Sequence, residues 1–225
     1  MVEGLLAGGA HVFAGYHRNA AGLAAIRDSS AADRLDTVQF DVADPTAVDS
    51  AVRDIVKSAG KLDLLVHSAG VAFDGLLLRS KPEQVDACLS VNLASAVSCA
   101  RSVLPSMLKA RYGRIVFVSS VVASMGNAGQ GLYAAAKAGV EGLSRSLARE
   151  VGSRGITVNT VSPGFIDTEM TSGMSEDDRR RVIESTAVGR LGQPADVAHS
   201  ALFFCDESAG YVTGTTLQVG GGLYM

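Results

Sequence analysis

Two side chains four residues apart, Tyr133 and Lys137, lie in the run Leu132-Tyr133-Ala134-Ala135-Ala136-Lys137, which reads as the opening of a helix. At that spacing both occupy one helix face. Ahead of them a strand-like stretch, Arg114 to Val118, ends in two hydroxyls, Ser119 and Ser120, and a glycine-rich loop joins these to the helix. A phenol, an ammonium and a serine hydroxyl gathered in this way form a proton-donating site for a carbonyl oxygen. A free phenol has a pKa of about 10, and a nearby cation lowers it by roughly 1 to 3 units, so Lys137 is expected to bring Tyr133 toward neutrality. Taken alone, the pair reads equally well as exposed helix residues.

The elements that would position these groups alternate along the chain. A helical pattern from Met1 to Ala7 stops at Gly8-Gly9, and His11 to Gly15 reads as a strand, followed by an alanine-rich helix over Ala20 to Ile26. Asp36 to Phe40 is the next strand. Pro45 then suits the first turn of a helix from Thr46 to Ala59, which Gly60 ends. Leu62 to His67 is an apolar strand closed by Ser68-Ala69-Gly70. Phe73 to Ser80 is a loop, and Pro82 starts a long helix through Asn92 to about Ala110. Beyond the Tyr133 helix, which runs to Val151, come a strand over Ile156 to Val161 broken by Ser162-Pro163-Gly164, a charged helix capped at Ser175, a helix over Asp196 to Cys205 and a last strand, Thr216 to Val219. Apolar strands alternating with amphipathic helices predict a parallel sheet covered on both faces.

With 225 residues and 47% hydrophobic content, the chain can bury one sizeable core, so residues 1–225 are read as a single α/β domain. A net charge of −3 with 19% charged residues gives no footprint for nucleic acid or a membrane surface. Cys88, Cys99 and Cys205 lack C-x-x-C spacing and fit reduced thiols of a cytoplasmic protein, with no support for a metal site. The apolar opening lacks a basic leader and carries Glu3, which argues against a signal peptide. No run is expected to reach the roughly 18 apolar residues of a spanning helix.

Taken together, Ser120 with Tyr133-Ala134-Ala135-Ala136-Lys137, Val91-Asn92-Leu93, the segment Arg154 to Asn159, the segment Pro163 to Met170 and Gly189-Arg190-Leu191-Gly192 resemble the short-chain dehydrogenase/reductase family, of the 3-oxoacyl-[acyl-carrier-protein] reductase type. The resemblance implies a Rossmann-type doubly wound sheet and NADPH-dependent reduction of a 3-oxoacyl thioester in fatty-acid synthesis. Other short-chain ketoreductases, acting on polyketide or acetoacetyl-CoA substrates, and a non-catalytic oligomerising subunit stay open as alternatives. By resemblance Tyr133 is the acid, Ser120 holds the carbonyl oxygen, Lys137 also bonds the nicotinamide ribose, and Asn92 anchors a water that relays protons to Lys137. Ser119 reads instead as a strand-end hydroxyl. Basic His17 and Arg18 end the first strand where NAD-selecting folds place an acid, which favours the 2′-phosphate of NADP. Asp41 and Val42 match an adenine-contacting pair, Ser68, Ala69 and Gly70 a cofactor-lining turn, and Ile166 and Thr168 positions near the nicotinamide carboxamide and the phosphates. Arg111 and Arg154 match contacts to acyl carrier protein, and a homotetramer is implied.

Two departures stand out. His67 occupies a position where the family carries an amide thought to tie neighbouring strands. The family also begins with a strand and a T-G-x-x-x-G-x-G loop whose backbone amides cradle a pyrophosphate, and nothing in this sequence corresponds to them. That strand would lie between those read as His11 to Gly15 and Leu62 to His67. Either the two flanking strands are expected to close up and pair, or the protein starts upstream of Met1; the second is the expectation carried forward.

Overall fold

The computed structural model describes residues 1–27 and 32–224. Its elements are α1 (Val2–Ala7), β1 (Val12–Tyr16), α2 (Ala21–Arg27), β2 (Leu35–Gln39), α3 (Pro45–Ala59), β3 (Leu64–His67) and α4 (Pro82–Leu89). There follow a π-helical turn (Ser90–Ala94), α5 (Ser95–Ala110), β4 (Gly113–Val118), α6 (Val122–Met125), α7 (Gly131–Val151), β5 (Ile156–Pro163), α8 (Glu176–Ser185), α9 (Pro194–Cys205) and β6 (Thr216–Val219). Local chemistry sets many of these limits. Asp44 caps α3 by accepting from the amides of Thr46 and Ala47, Pro45 fills its first turn, and Gly60 ends it in the left-handed region. Ser175 accepts from the Asp178 amide and starts α8.

All strand pairs are parallel, as the alternating pattern predicts. Strands β3-β4-β5-β6 form one sheet and β1-β2 a second. Val116 lies opposite Asn159 and Val118 opposite Val161, which makes β4 and β5 the buried centre. One face is covered by α3, α5 and α7 over Ile115, Phe117, Ile156 and Val158. The other is covered by α9, whose Val197, Ala201 and Phe204 pack on Val116 and Val161. This two-sided covering is the doubly wound arrangement of a Rossmann-type fold. Helix α1 leans on α9, while Leu6, Val12, Ala14 and Leu35 make a separate small core beneath β1 and β2.

Of the two alternatives for the strands flanking the site of the family's first strand, closing up is not seen: β1 pairs with β2, β3 with β4, and β1 does not pair with β3 among the described residues. Three expectations are corrected. The loop before α7 contains a helical turn, α6. Ser162 and Pro163 extend β5 rather than break it, because the proline needs no donor at the strand end and its carbonyl accepts from Val121. Finally, Pro82–Ala110 is 29 residues long and apolar enough, by length and composition alone, to cross a membrane. One apolar face packs into the protein, where Cys88, Ala96, Cys99, Ala100, Val103 and Met107 are buried core side chains, while Leu89, Val97 and Leu108 are exposed.

The turn between α7 and β5 depends on one glycine. Gly155 has φ 74°, and a Cβ there would stand 2.5 Å from the Arg111 carbonyl oxygen. Gly155→Ala is expected to cost more than the roughly 1 to 2 kcal/mol of a left-handed alanine, because backbone must also move. A urea midpoint equal to the parent's would contradict this.

Candidate active site

The carboxyl ends of β3, β4 and β5 point to one edge of their sheet, and those of β1 and β2 to one edge of theirs; the candidate residues follow these strand ends. β1 leads into His17 and Arg18, β2 into Asp41 and Val42, β3 into Ser68, Ala69 and Gly70, β4 into Ser119 and Ser120, and β5 into Ile166 and Thr168. In parallel α/β sheets this is the edge where ligands bind.

At its centre stand groups brought together by three elements. Tyr133 and Lys137 lie on the buried face of α7, 9% and 3% exposed, with the Lys137 ammonium 5.6 Å from the Tyr133 ring centroid. Lys137 Nζ donates to the Val118 carbonyl at 3.0 Å, at the last residue of β4. Ser120 follows two residues on, half-buried beside the phenol. Asn92 is fully buried in the π-helical turn. Its amide nitrogen donates to the carbonyls of Val71 at 2.8 Å and Cys88 at 2.9 Å, and its oxygen accepts from the Val71 amide at 3.1 Å. A Cβ at Gly70 would come 2.8 Å from Asn92 Oδ1 and 3.1 Å from Lys137 Nζ, so only glycine lets the turn after β3 lie against these two side chains.

The electrostatics differ from the expectation at one point. Burial raises the Tyr133 pKa above its ordinary value, and the Ser120 hydroxyl pulls it only partly back. Lys137 does not bring the phenol down, because its ammonium is turned to the Val118 carbonyl and is itself lowered to about 8 by burial. Tyr133 is therefore a protonated phenol at neutral pH, which is the form that donates.

The remaining candidates are less tightly gathered. His17 Nε2 lies 3.6 Å from Asp41 Oδ2, both about half exposed, and Arg18 is exposed. Asp41 also accepts from the Ala43 amide, so it serves as a local turn residue as well. Ile166 and exposed Thr168 lie in a loop pinned by Thr171, whose hydroxyl donates to the Ile166 carbonyl at 2.6 Å, and by the Arg179–Asp167 ion pair. Arg111 and Arg154 sit together, but at the amino-terminal ends of β4 and β5. Spanning the six residues of β4, that is about 20 Å from the Tyr133 edge of the same chain.

Sequence reasoning missed several groups. Ser119 donates to the buried carboxylate of Glu141, one further turn along the Tyr133–Lys137 face, a position that extending the i, i+4 series would have reached. Asp74 accepts from Gln130 at 2.7 Å and the Gly75 amide donates to the Gly129 carbonyl, so the loop after β3 is clasped to the start of α7. His67 is bonded through Nε2 to Ser95 Oγ at 2.8 Å, a side-chain partner on α5.

A family model described as Enoyl-(Acyl carrier protein) reductase matches residues 1–224. The 3-oxoacyl-[acyl-carrier-protein] reductase of Escherichia coli (strain K12) is 45% identical over 188 residues, covering 84% of this chain and 77% of that protein. The chain belongs to the short-chain dehydrogenase/reductase family. The reductase of the same name from Vibrio cholerae is 45% identical over 186 residues, 83% of this chain and 76% of that protein. That from Staphylococcus aureus (strain Mu50 / ATCC 700699) is 42% identical over 188 residues, 84% of this chain and 76% of that protein.

His67 gives this short-chain dehydrogenase/reductase a pH dependence of stability. Burial, reinforced by the Lys137 charge, lowers its pKa from 6.5 to about 4. Between those values the unfolded chain binds the extra proton, so stability is complete above about 6.5 and drains as pH falls toward 4. The difference is at most about 3 kcal/mol. His67→Asn is expected to flatten the slope of unfolding free energy between pH 7 and 4.5; parallel slopes for parent and variant would contradict it.

Proposed function

We propose that this chain reduces the 3-oxo group of an acyl thioester to the hydroxyl with NADPH, and that Tyr133, Ser120, Lys137 and Asn92 carry the chemistry. The observation that supports this most is a buried, protonated phenol beside a serine hydroxyl and a buried ammonium at the ligand-binding edge of the sheet. The relatives' shared name supplies the substrate class.

The residues present fit the two ends of the cofactor, though none corresponds to the family's pyrophosphate loop. Lys137 Nζ, with one donor on Val118, lies against the Gly70 turn, and the basic pair His17 and Arg18 ends β1 where a 2′-phosphate would lie. Asp41 and Val42 would flank the adenine, Ser68, Ala69 and Gly70 the middle of the dinucleotide, and Ile166 and Thr168 its nicotinamide end. When bound, the reduced nicotinamide supplies the hydride.

As charge develops on the substrate's 3-oxygen, the Ser120 hydroxyl donates a hydrogen bond to it and the Tyr133 phenol delivers the proton. Lys137, charged below about 8, holds a positive field next to the developing phenolate and has two donors left after Val118 for a ribose and a water. Asn92 has its side chain spent on Val71 and Cys88, so a relay water at this residue would rest on its main-chain carbonyl, in the π-helical turn where the regular ladder is interrupted. The name of the matched family model would suggest a carbon–carbon double bond as the target. Two hydroxyls converging on one oxygen favour the carbonyl.

We further read the protein as a cytoplasmic homotetramer whose substrate is carried by acyl carrier protein. Apolar Val97 and Leu108 on α5 and Phe203 on α9 are exposed in the single chain, which suits covered faces. Arg111 and Arg154 would meet the acidic carrier on a face remote from the same chain's Tyr133, and a neighbouring copy's site would be the one served.

Fluorescence titration with NADPH followed by turnover of a 3-oxoacyl and a 2-enoyl thioester tests the reading. Saturable binding and 3-oxoacyl reduction are expected, with Tyr133→Phe lowering kcat by about 10² to 10⁴ while the fold is kept. Reduction of the enoyl substrate alone, or an active Tyr133→Phe, would overturn it. Arg18→Ala is expected to weaken NADPH about tenfold and to leave NADH nearly unchanged; equal losses for both would remove Arg18 from the site.

A further inference from the structure

The two serines that end β4 point to different tasks. The Ser119 amide donates to the Val161 carbonyl and the Val121 amide to the Pro163 carbonyl, both at 2.8 Å, so β5 holds the backbone on either side of Ser120. That fixes Ser120 along the sheet. Two contacts tie it to α7: Lys137 Nζ donates to the Val118 carbonyl at 3.0 Å, and the Ser119 hydroxyl, 2% exposed, reaches Glu141 Oε1 at 2.9 Å and the Lys137 carbonyl at 3.2 Å.

Glu141 is an unusual residue to find there. It is 8% exposed on the α7 face that carries Tyr133 and Lys137, and its other charged partner is Arg145 at 3.9 Å, itself mostly in solvent. A buried carboxylate with so little compensation is costly, and an aliphatic side chain of similar size would pack more cheaply. What the carboxylate adds over such a residue is a directed acceptor for Ser119.

We propose that the Ser119–Glu141 hydrogen bond is a positioning device for the proton-donating site, clamping the end of β4 to α7 so that the Ser120 hydroxyl stays in register with the Tyr133 phenol. The inference rests on the reductase reading for its kinetic consequence and on geometry alone for its structural one. Glu141 touches neither the phenol nor Lys137 Nζ and acts only through Ser119.

Three variants and two readouts test it. Ser119→Ala and Glu141→Leu are each expected to lower kcat about tenfold or more, since small misplacements of reacting groups are costly, with the KM for NADPH within about twofold. The double variant is expected to lose no more than either single one, as for two halves of one contact. Glu141→Gln, which keeps the acceptor, is expected to restore kcat. Independently of turnover, ultraviolet titration of phenolate in parent minus Tyr133→Phe isolates Tyr133. Ser119→Ala is expected to move that titration upward, because Ser120 is the neighbour that draws it down, while Cys88 on α4, Asp74 in the loop and Lys137 on α7 stay in place. An unmoved titration, or losses that follow the fall in Tm with Glu141→Gln no better than Glu141→Leu, would overturn the proposal. If the parent reduces no 3-oxoacyl thioester, the reductase reading fails and the phenolate titration still decides the clamp.

Discussion

Parallel pairing of β4 with β5 carries the chain past the edge of the sheet with its backbone still bonded, Ser119 to Val161 and Val121 to Pro163. A strand released at Val118 would leave its following hydroxyls free to wander. Here they are held while the chain turns through α6 into α7, which returns across the same strand end and lays Tyr133 and Lys137 beside it. The ammonium closes the circuit by donating to the Val118 carbonyl, so the group that supports the acid is also a tie between helix and strand. Position and chemistry thus depend on the same few hydrogen bonds.

A second constraint is dehydration. His67, Lys137, Glu141 and Asn92 are all buried, and each offsets part of the cost of being there. The imidazole stays neutral with its pKa near 4, the ammonium is lowered to about 8 but spends a proton on a carbonyl, the carboxylate takes the Ser119 hydroxyl, and the amide is satisfied on both sides by backbone. Burial also keeps Tyr133 protonated. The phenol's readiness to donate comes from exclusion of water, with Lys137 supplying field to the product of the transfer rather than to the acid itself.

Much of this was legible in the residues. Pro45 and Gly60 marked the ends of α3, the Tyr133–Lys137 spacing marked a helix face, and the apolar strands marked a parallel sheet. What stayed hidden was set by distant contacts. Nothing in Ser90-Val91-Asn92-Leu93-Ala94 announces a π-helical turn, which places the Asn92 side chain on Val71, over twenty positions earlier. The direction of the Tyr133 shift depends on a burial that i, i+4 spacing cannot report. The split between β1-β2 and β3-β6 follows from which edges meet in space, and the apolar patterns of β1 and β3 read alike in either arrangement.

That split has a mechanical meaning. Backbone ladders join Arg18 to Asp41 through β1 and β2, and His67 to Ser120 through β3 and β4, but the described residues provide none from the first pair to the second. The two bodies are coupled through side chains: α1 packs against α9, and α3 against α5, where Asp49 pairs with Arg101 and accepts from the Ser102 hydroxyl. A ligand long enough to touch both Arg18 and Tyr133 would therefore work as a strut, and part of its binding energy would go into stiffening one body against the other before any bond is made or broken.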